Sequence, residues 1–188
     1  IPKPLQSPHP PLWQVVDTTP SIDFAARHDL QAMFWIPPTD SLLPRFEAYR
    51  DAASDARGSE VALGEGVAVL RDMFVTETMA EAERLAGEGI VRYMQWVCEF
   101  RGLGNHRYPG EELPDTPGKL DALSYEWLHP RNMLFGTPDY VAGKIHEMKE
   151  KLNLRKLLVW SSFPGVAHEA TMDSIAMFTE EVMPQFAD

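Results

Sequence analysis

Short, unbroken apolar runs alternate with amphipathic helical patterns along this chain, and that alternation limits its fold more than any other feature. The runs are Leu12 to Val16, Gln31 to Ile36, the Val67–Leu70 and Met73–Val75 stretch within Glu65 to Thr76, and Lys156 to Trp160. Strands apolar on both sides of the pleat belong to a sheet covered on both faces. Helical patterns follow each run. Ile22 to His28 is short, and Ser41 to about Ala56 spaces Leu42, Phe46 and Tyr49 four and three apart. A long helix is expected from about Thr78, with Met79, Ala82, Ala86, Ile90, Tyr93, Val97 and Arg101 along one face. Strand followed by helix, four times over, means parallel strands joined by right-handed crossovers. The fold class expected is therefore α/β, and four such units make half of an eight-stranded barrel or a small open sheet.

The remaining segments punctuate this order. Residues 1–11 hold five prolines and read as an extended lead-in. Residues 102–132 show little apolar periodicity and carry four glycines and four prolines, the composition of a long loop or lid-like insertion. Thr137-Pro138-Asp139 is a helix start, with Thr137 as cap and Val141, Ile145, Met148 and Leu152 as the apolar stripe. A last helix is expected from about Glu169 to Gln185, packing Met172, Ile175, Ala176, Val182 and Met183.

Composition removes several classes of function. The 188 residues suffice for one core or for part of a larger domain, so residues 1–188 read as one domain or a half-barrel fragment. With 17 basic against 28 acidic side chains the formal charge is −11, which argues against nucleic acid but leaves room for a local cationic site for one small anion. No apolar stretch approaches the roughly 20 residues of a membrane helix, and the first residues lack the basic-then-apolar pattern expected of a signal peptide. Cys98 is the sole cysteine, which excludes an internal disulfide and suits a reducing, cytoplasmic setting; its apolar helical surroundings mark a packed thiol. The chain opens on Ile1 rather than Met, as expected of a processed chain or one preceded by a further segment.

The chemistry-bearing motif is the turn Asp17-Thr18-Thr19-Pro20-Ser21, where an apolar run meets a helix start. It offers three hydroxyls beside backbone N–H groups that no helical carbonyl can satisfy. Two readings are open: Thr19 as a helix cap with Pro20 at the first helical position, or an anion site. Elsewhere the signals are bland. His146-Glu147 lacks a second histidine at zinc spacing, and His9, His28, His106, His129 and His168 scatter through loops and helix ends, so no metal is expected. No nucleophile elbow or phosphate-binding lysine loop is present, Glu111-Glu112 reads as solvated charge, and no catalytic residue is assigned. Trp35 and Trp160 stand at strand ends, as the wall of a flat apolar ligand or as core.

These residues carry a resemblance. Pro8-His9-Pro10-Pro11-Leu12-Trp13 through Ala25-Ala26, Asp72 to Thr78 with its Ala-Glu-Ala run, Gly136-Thr137-Pro138 with its helix and the strand near Leu157, and Glu181-Val182-Met183-Pro184 together resemble the carboxyl-terminal half of the bacterial luciferase-like flavin monooxygenases. The resemblance implies strands five to eight of a TIM-type (β/α)8 barrel, which uses reduced FMN, or in some members a deazaflavin coenzyme, with dioxygen to oxygenate a small organic substrate. It implies that Asp17, Thr18 and Ser21 hold the flavin phosphate, with Asp17 standing where the family has glutamate, and that residues 102–132 close over the site. A flavin reductase and an amino-terminal half-barrel or second subunit are the implied partners, because a half barrel leaves two open parallel edges. The alternative is a non-catalytic flavin-binding or assembly subunit.

Overall fold

The computed structural model describes residues 3–113 and 123–187. Its first unit is strand β1 (Trp13–Val15) and helix α1 (Thr19–Arg27), and its second is β2 (Gln31–Phe34) and α2 (Thr39–Arg57). Helix α2 stops at Gly58, whose φ of 64° is the left-handed conformation that glycine adopts without a Cβ penalty. The third unit joins β3 (Val67–Val75) to α3 (Met79–Arg101), whose cap Thr78 accepts the Glu81 N–H at 3.2 Å. A single 3-10 turn (Gly104–His106) and helix α4 (Tyr125–Asn132) follow. Then come β4 (Met133–Gly136), α5 (Pro138–Leu152), β5 (Leu157–Trp160) and α6 (His168–Met177), the last continuing into a π turn (Phe178–Val182) and a 3-10 turn (Met183–Phe186).

All five strands pair in parallel, and β3 is the hub of the sheet. Successive residues of a strand address opposite edges. Gly66 accepts from Ala32 and Thr76 donates to Gly136, whereas Val69 donates to Lys156. Strands β2 and β4 therefore share one edge of β3, one after the other, and β5 takes the opposite edge. Beyond the end of β5 that second edge is closed by α6, whose Ser174 Oγ accepts the Val75 N–H at 2.7 Å.

Each sheet face meets different helices. On one face α1, α2 and α5 bury Ala32, Phe34, Val69, Met73 and Val75 against Phe46, Tyr49, Val141 and Leu152. On the other, α3 crosses the carboxyl end of the sheet and packs Ile90, Met94 and Cys98 against Phe74, Phe135 and Phe163. The crossing is close at Gly89, where a Cβ would stand 2.5 Å from the Pro164 carbonyl oxygen.

The structure adjusts several sequence expectations. Strands β1 and β5 were expected to be buried, yet Trp13 (38%), Val15 (46%) and Trp160 (48%) are exposed, because the face they share has no cover below α3 among the described residues. Strand β4 was not foreseen, since Met133–Gly136 reads from sequence as the lead-in to α5. The buried stripe of α3 drifts to Met94 and Cys98, leaving Met79 and Arg101 exposed. The last helical run spans the expected residues but turns from α to π and 3-10 geometry after Met177. Val182 is buried as expected, whereas Met172 and Met183 face solvent and Ser174 and Phe178 turn inward in their place. Part of the 102–132 expectation, residues 114–122, lies outside the described residues; the remainder holds the 3-10 turn and α4 rather than an unbroken loop.

Candidate functional site

The carboxyl ends of the strands gather two features, a polar helix start after β1 and an aromatic wall over β2, β3 and β5. At the helix start, the sequence Thr18-Thr19-Pro20-Ser21 forms a reciprocal cap. The Thr18 Oγ1 accepts the Ser21 N–H at 3.4 Å, and the Ser21 Oγ accepts the Thr18 N–H at 3.0 Å and donates to the Thr18 carbonyl at 2.8 Å. Ile22 N–H goes to the Thr18 carbonyl, and Pro20 has no N–H to offer. Two of the three hydroxyls the sequence singles out, those of Thr18 and Ser21, are thus engaged with the turn itself. The cap is Thr18 rather than the expected Thr19, which is the first helical residue.

Two arginines surround that turn, and neither is marked by the local sequence. Arg101, the last residue of α3, pairs with the Asp17 carboxylate. Arg45 of α2 donates to the Asp17 carbonyl at 3.3 Å and lies 3.5 Å from Asn105 Oδ1; burial lowers its pKa, and Asp17 opposes that effect. The helix start therefore has cationic side chains contributed from residues 28 and 84 positions away. A sequence window around Asp17 holds no signal for them.

The aromatic wall begins at Trp35, just past β2. Its ring meets Tyr93 of α3 at 5.9 Å, and Tyr93 stacks on Trp160 at 6.4 Å and on Trp96 at 6.3 Å. Trp96 and Phe100 continue the wall along α3 toward the β1–α1 turn, 59% and 75% exposed. Trp35 is half-buried and Trp160 half-exposed, so neither belongs wholly to a core.

Beneath these rings lies a buried pair on β3. Arg71, facing the α2 and α5 side, donates to the carbonyls of Trp35 (2.5 Å) and Pro37 (2.8 Å), which holds open the gap where β2 leaves β3. Asp72, facing the aromatic side, accepts the Trp35 indole N–H at 3.3 Å. Burial drives its pKa up to about 7, although the Trp35 hydrogen bond and the Arg71 charge pull the other way. Burial likewise brings Arg71 down to about 10.

The other sequence candidates fall elsewhere. Cys98 is buried in the α3 core, its thiol pushed up to about 11 by desolvation. Glu111 is not a solvated charge: it forms a two-bond pair with Arg131 at 2.7 and 2.8 Å, and that guanidinium lies over the Trp127 and Tyr108 rings. His106 is fully buried against Trp127, with its pKa lowered to about 4 by burial and by Arg131. His129 bonds the Phe135 carbonyl at 2.7 Å. A cleft of about 780 Å³ lies away from the aromatic wall, between α5, β5 and Phe178.

No described protein family and no curated protein matches the chain. Solved structures do. A monooxygenase, RslO1, from Streptomyces bottropensis superposes with a TM-score of 0.74 at 22% identity, over 100% of this chain and 51% of that one. The oxygenating constituent of 3,6-diketocamphane monooxygenase from the CAM plasmid of Pseudomonas putida, solved with FMN, gives 0.73 at 23% identity over 94% and 49%. The coenzyme F420-dependent tetrahydromethanopterin reductase of Methanopyrus kandleri gives 0.66 at 16% identity over 94% and 51%. The chain thus spans about half the length of the structures it matches. It shares the parallel (β/α) fold of monooxygenases and F420-dependent oxidoreductases, and no helix among its described residues is long and apolar enough to cross a membrane.

Proposed function

We propose that the chain is the carboxyl-terminal half of a luciferase-like, flavin-dependent monooxygenase barrel that works with reduced FMN and dioxygen on a small organic substrate. The observation that carries this reading is the shared fold, over 94% of the chain, with an oxygenase solved in complex with FMN. The residues at the strand ends fit such a cofactor in two ways. A helix start flanked by the Arg45 and Arg101 guanidiniums suits a phosphate, since both the positive end of the helix dipole and the side chains favour an anion. A ladder of rings with exposed faces suits a flat heterocycle.

In this reading Thr18 and Ser21 hold the phosphate, with the Ser21 hydroxyl turning its proton from the Thr18 carbonyl to a phosphate oxygen. Asp17 orients the turn by holding Arg101, and Arg45 supplies charge from below. Bound flavin would supply the redox chemistry; the chain grips its tail, walls one side of the site and excludes water. The lid-like role falls to the described parts of the 102–132 segment, residues 102–113 and 123–132. A flavin reductase delivers reduced FMN in the cytoplasm. A deazaflavin coenzyme is the alternative occupant, favoured by the F420-dependent structures of the same fold.

The exposed sheet face and the half-length match support a second partner, an amino-terminal half-barrel or another subunit, seated over Trp13, Val15 and Trp160. One observation favours a non-catalytic flavin-binding or assembly subunit instead: the cap already uses the Thr18 and Ser21 hydroxyls.

Titration with FMN and reduced FMN separates these readings. The double change Thr18→Ala, Ser21→Ala removes two charge-assisted hydrogen bonds, each worth about 1.5–3 kcal/mol, and should weaken binding accordingly. Unaltered affinity overturns the phosphate assignment. Binding without substrate-dependent oxygen consumption, with reductase and the partner half present, selects the non-catalytic subunit.

A further inference from the structure

We propose that Asp72 is the positioning residue of the aromatic wall: its carboxyl holds the Trp35 indole, and the gain or loss of its proton sets how firmly the rings are arranged. The inference rests on the wall being the ligand surface proposed above.

The geometry singles Asp72 out. Its side chain has no exposure, Oδ2 accepts the indole N–H of Trp35 at 3.3 Å, and Oδ1 is buried without a partner among the described residues. In the sheet register Asp72 stands opposite Trp160, and Tyr93 of α3 rings both Trp35 and Trp160. Every aromatic group in the inner part of the wall therefore borders one carboxyl. An asparagine at this place would accept the same hydrogen bond without the cost of burying an ionisable group. A carboxyl adds the ability to change charge.

The groups around it are few. Arg71, adjacent on β3, points to the opposite face, where its guanidinium is committed to the Trp35 and Pro37 carbonyls. From α3 comes the Tyr93 phenol, raised by burial and by the Asp72 charge and lowered by Arg101. The β2 side contributes the Trp35 indole, and β5 contributes Trp160, which does not titrate. With burial holding the carboxyl near 7, neutral water lies at its midpoint. Below it the carboxyl is neutral and packs dry beneath the rings. Above it a buried carboxylate with one unsatisfied oxygen draws in water or a ligand donor, and the rings shift.

The test follows the indole directly. In the ¹⁵N-labelled chain the Trp35 side-chain N–H resonance, identified by its loss in Trp35→Phe, should move through a single inflection near neutrality. The same resonance should be flat in Asp72→Asn and should inflect at a different pH in Asp72→Glu. A Trp35 resonance unmoved between about pH 5 and pH 9 overturns the proposal, as does the same inflection in Asp72→Asn. The wild-type titration decides even where Asp72→Asn fails to fold. FMN binding should weaken several-fold across the inflection in the wild type and stay level in Asp72→Asn. A chain that shows the Trp35 inflection yet binds no FMN at any pH refutes the cofactor reading and leaves the role of Asp72 intact.

Discussion

The two faces of this sheet are built to different standards of completion. The face toward α1, α2 and α5 is closed over β2 and β3, with Phe34, Phe46, Val69 and Met73 all but inaccessible to solvent, and opens only at the cleft beside β5. Among the described residues the opposite face is covered by α3 at its carboxyl end alone; Trp13, Val15 and Leu158 stand open below, and the half-exposed Trp160 lies at the boundary under Tyr93. Apolar strand residues cost nothing to expose only if something else covers them in the working assembly. The contrast teaches that this chain buries one face along most of its length, while on the other it buries only the core beneath α3 among the described residues.

Substitutions can break that contrast. Phe46→Ala removes a ring that stacks on Phe34 at 5.7 Å within the closed core, and it should cost about 3–5 kcal/mol in urea unfolding. Should it cost no more than a change on the open face, the division fails. Asp72 comes next, at the boundary between faces. Its folded pKa, about 7 against an ordinary 3.8, means that the folded chain holds a proton that the unfolded chain releases. Stability is therefore greatest below about pH 4 in this respect and is lost as pH rises toward 7, with a ceiling of about 4 kcal/mol. Asp72→Asn should accordingly gain over the wild type from pH 4 to pH 7 and hold a constant margin above, read as the difference in melting temperature across pH. A margin independent of pH would show that Asp72 does not carry the proton.

Smaller effects sharpen the picture. Thr18→Ala deletes the cap of α1 and should cost about 0.5–2 kcal/mol, measurable by the same urea curves. Trp96→Ala, on the open end of the wall, should change stability by less than about 0.5 kcal/mol in the chain alone. If it instead changes FMN affinity while leaving the unfolding midpoint in place, the open face is confirmed as a surface held for a ligand or partner.

Much of the closed face was legible from the sequence because it is written in periodicity. Leu42, Phe46 and Tyr49, and Val141, Ile145, Met148 and Leu152, point where their spacing says. Helix starts were legible to within a residue for the same local reason: Thr137 caps α5 as expected and Thr78 caps α3 where its start was expected, while α1 is capped by Thr18, one residue before the expected Thr19. The open face misled, because an apolar run looks alike whether a helix of its own chain or something else covers it. Strand β4 was missed because four residues carry too little pattern to stand apart from the helix that follows. The site was legible only in its local part. Asp17, Thr18 and Ser21 share one turn, but Arg45, Arg101 and the Asp72–Trp35 bond depend on contacts across 28, 84 and 37 positions. No spacing rule joins such residues before the sheet does.

The parallel direction of every strand has a consequence in symmetry. Among the described residues β1 and β5 each pair on one side only, so a ring would close by adding strands at both. If the added strands came from a second copy, β5 of one protomer would meet β1 of the other with both running the same way. The two-fold axis of such a dimer must then lie along the strands, through the middle of the ring. A two-fold set across the strands would reverse one partner and join the edges antiparallel, leaving the aromatic ends of the two copies at opposite poles.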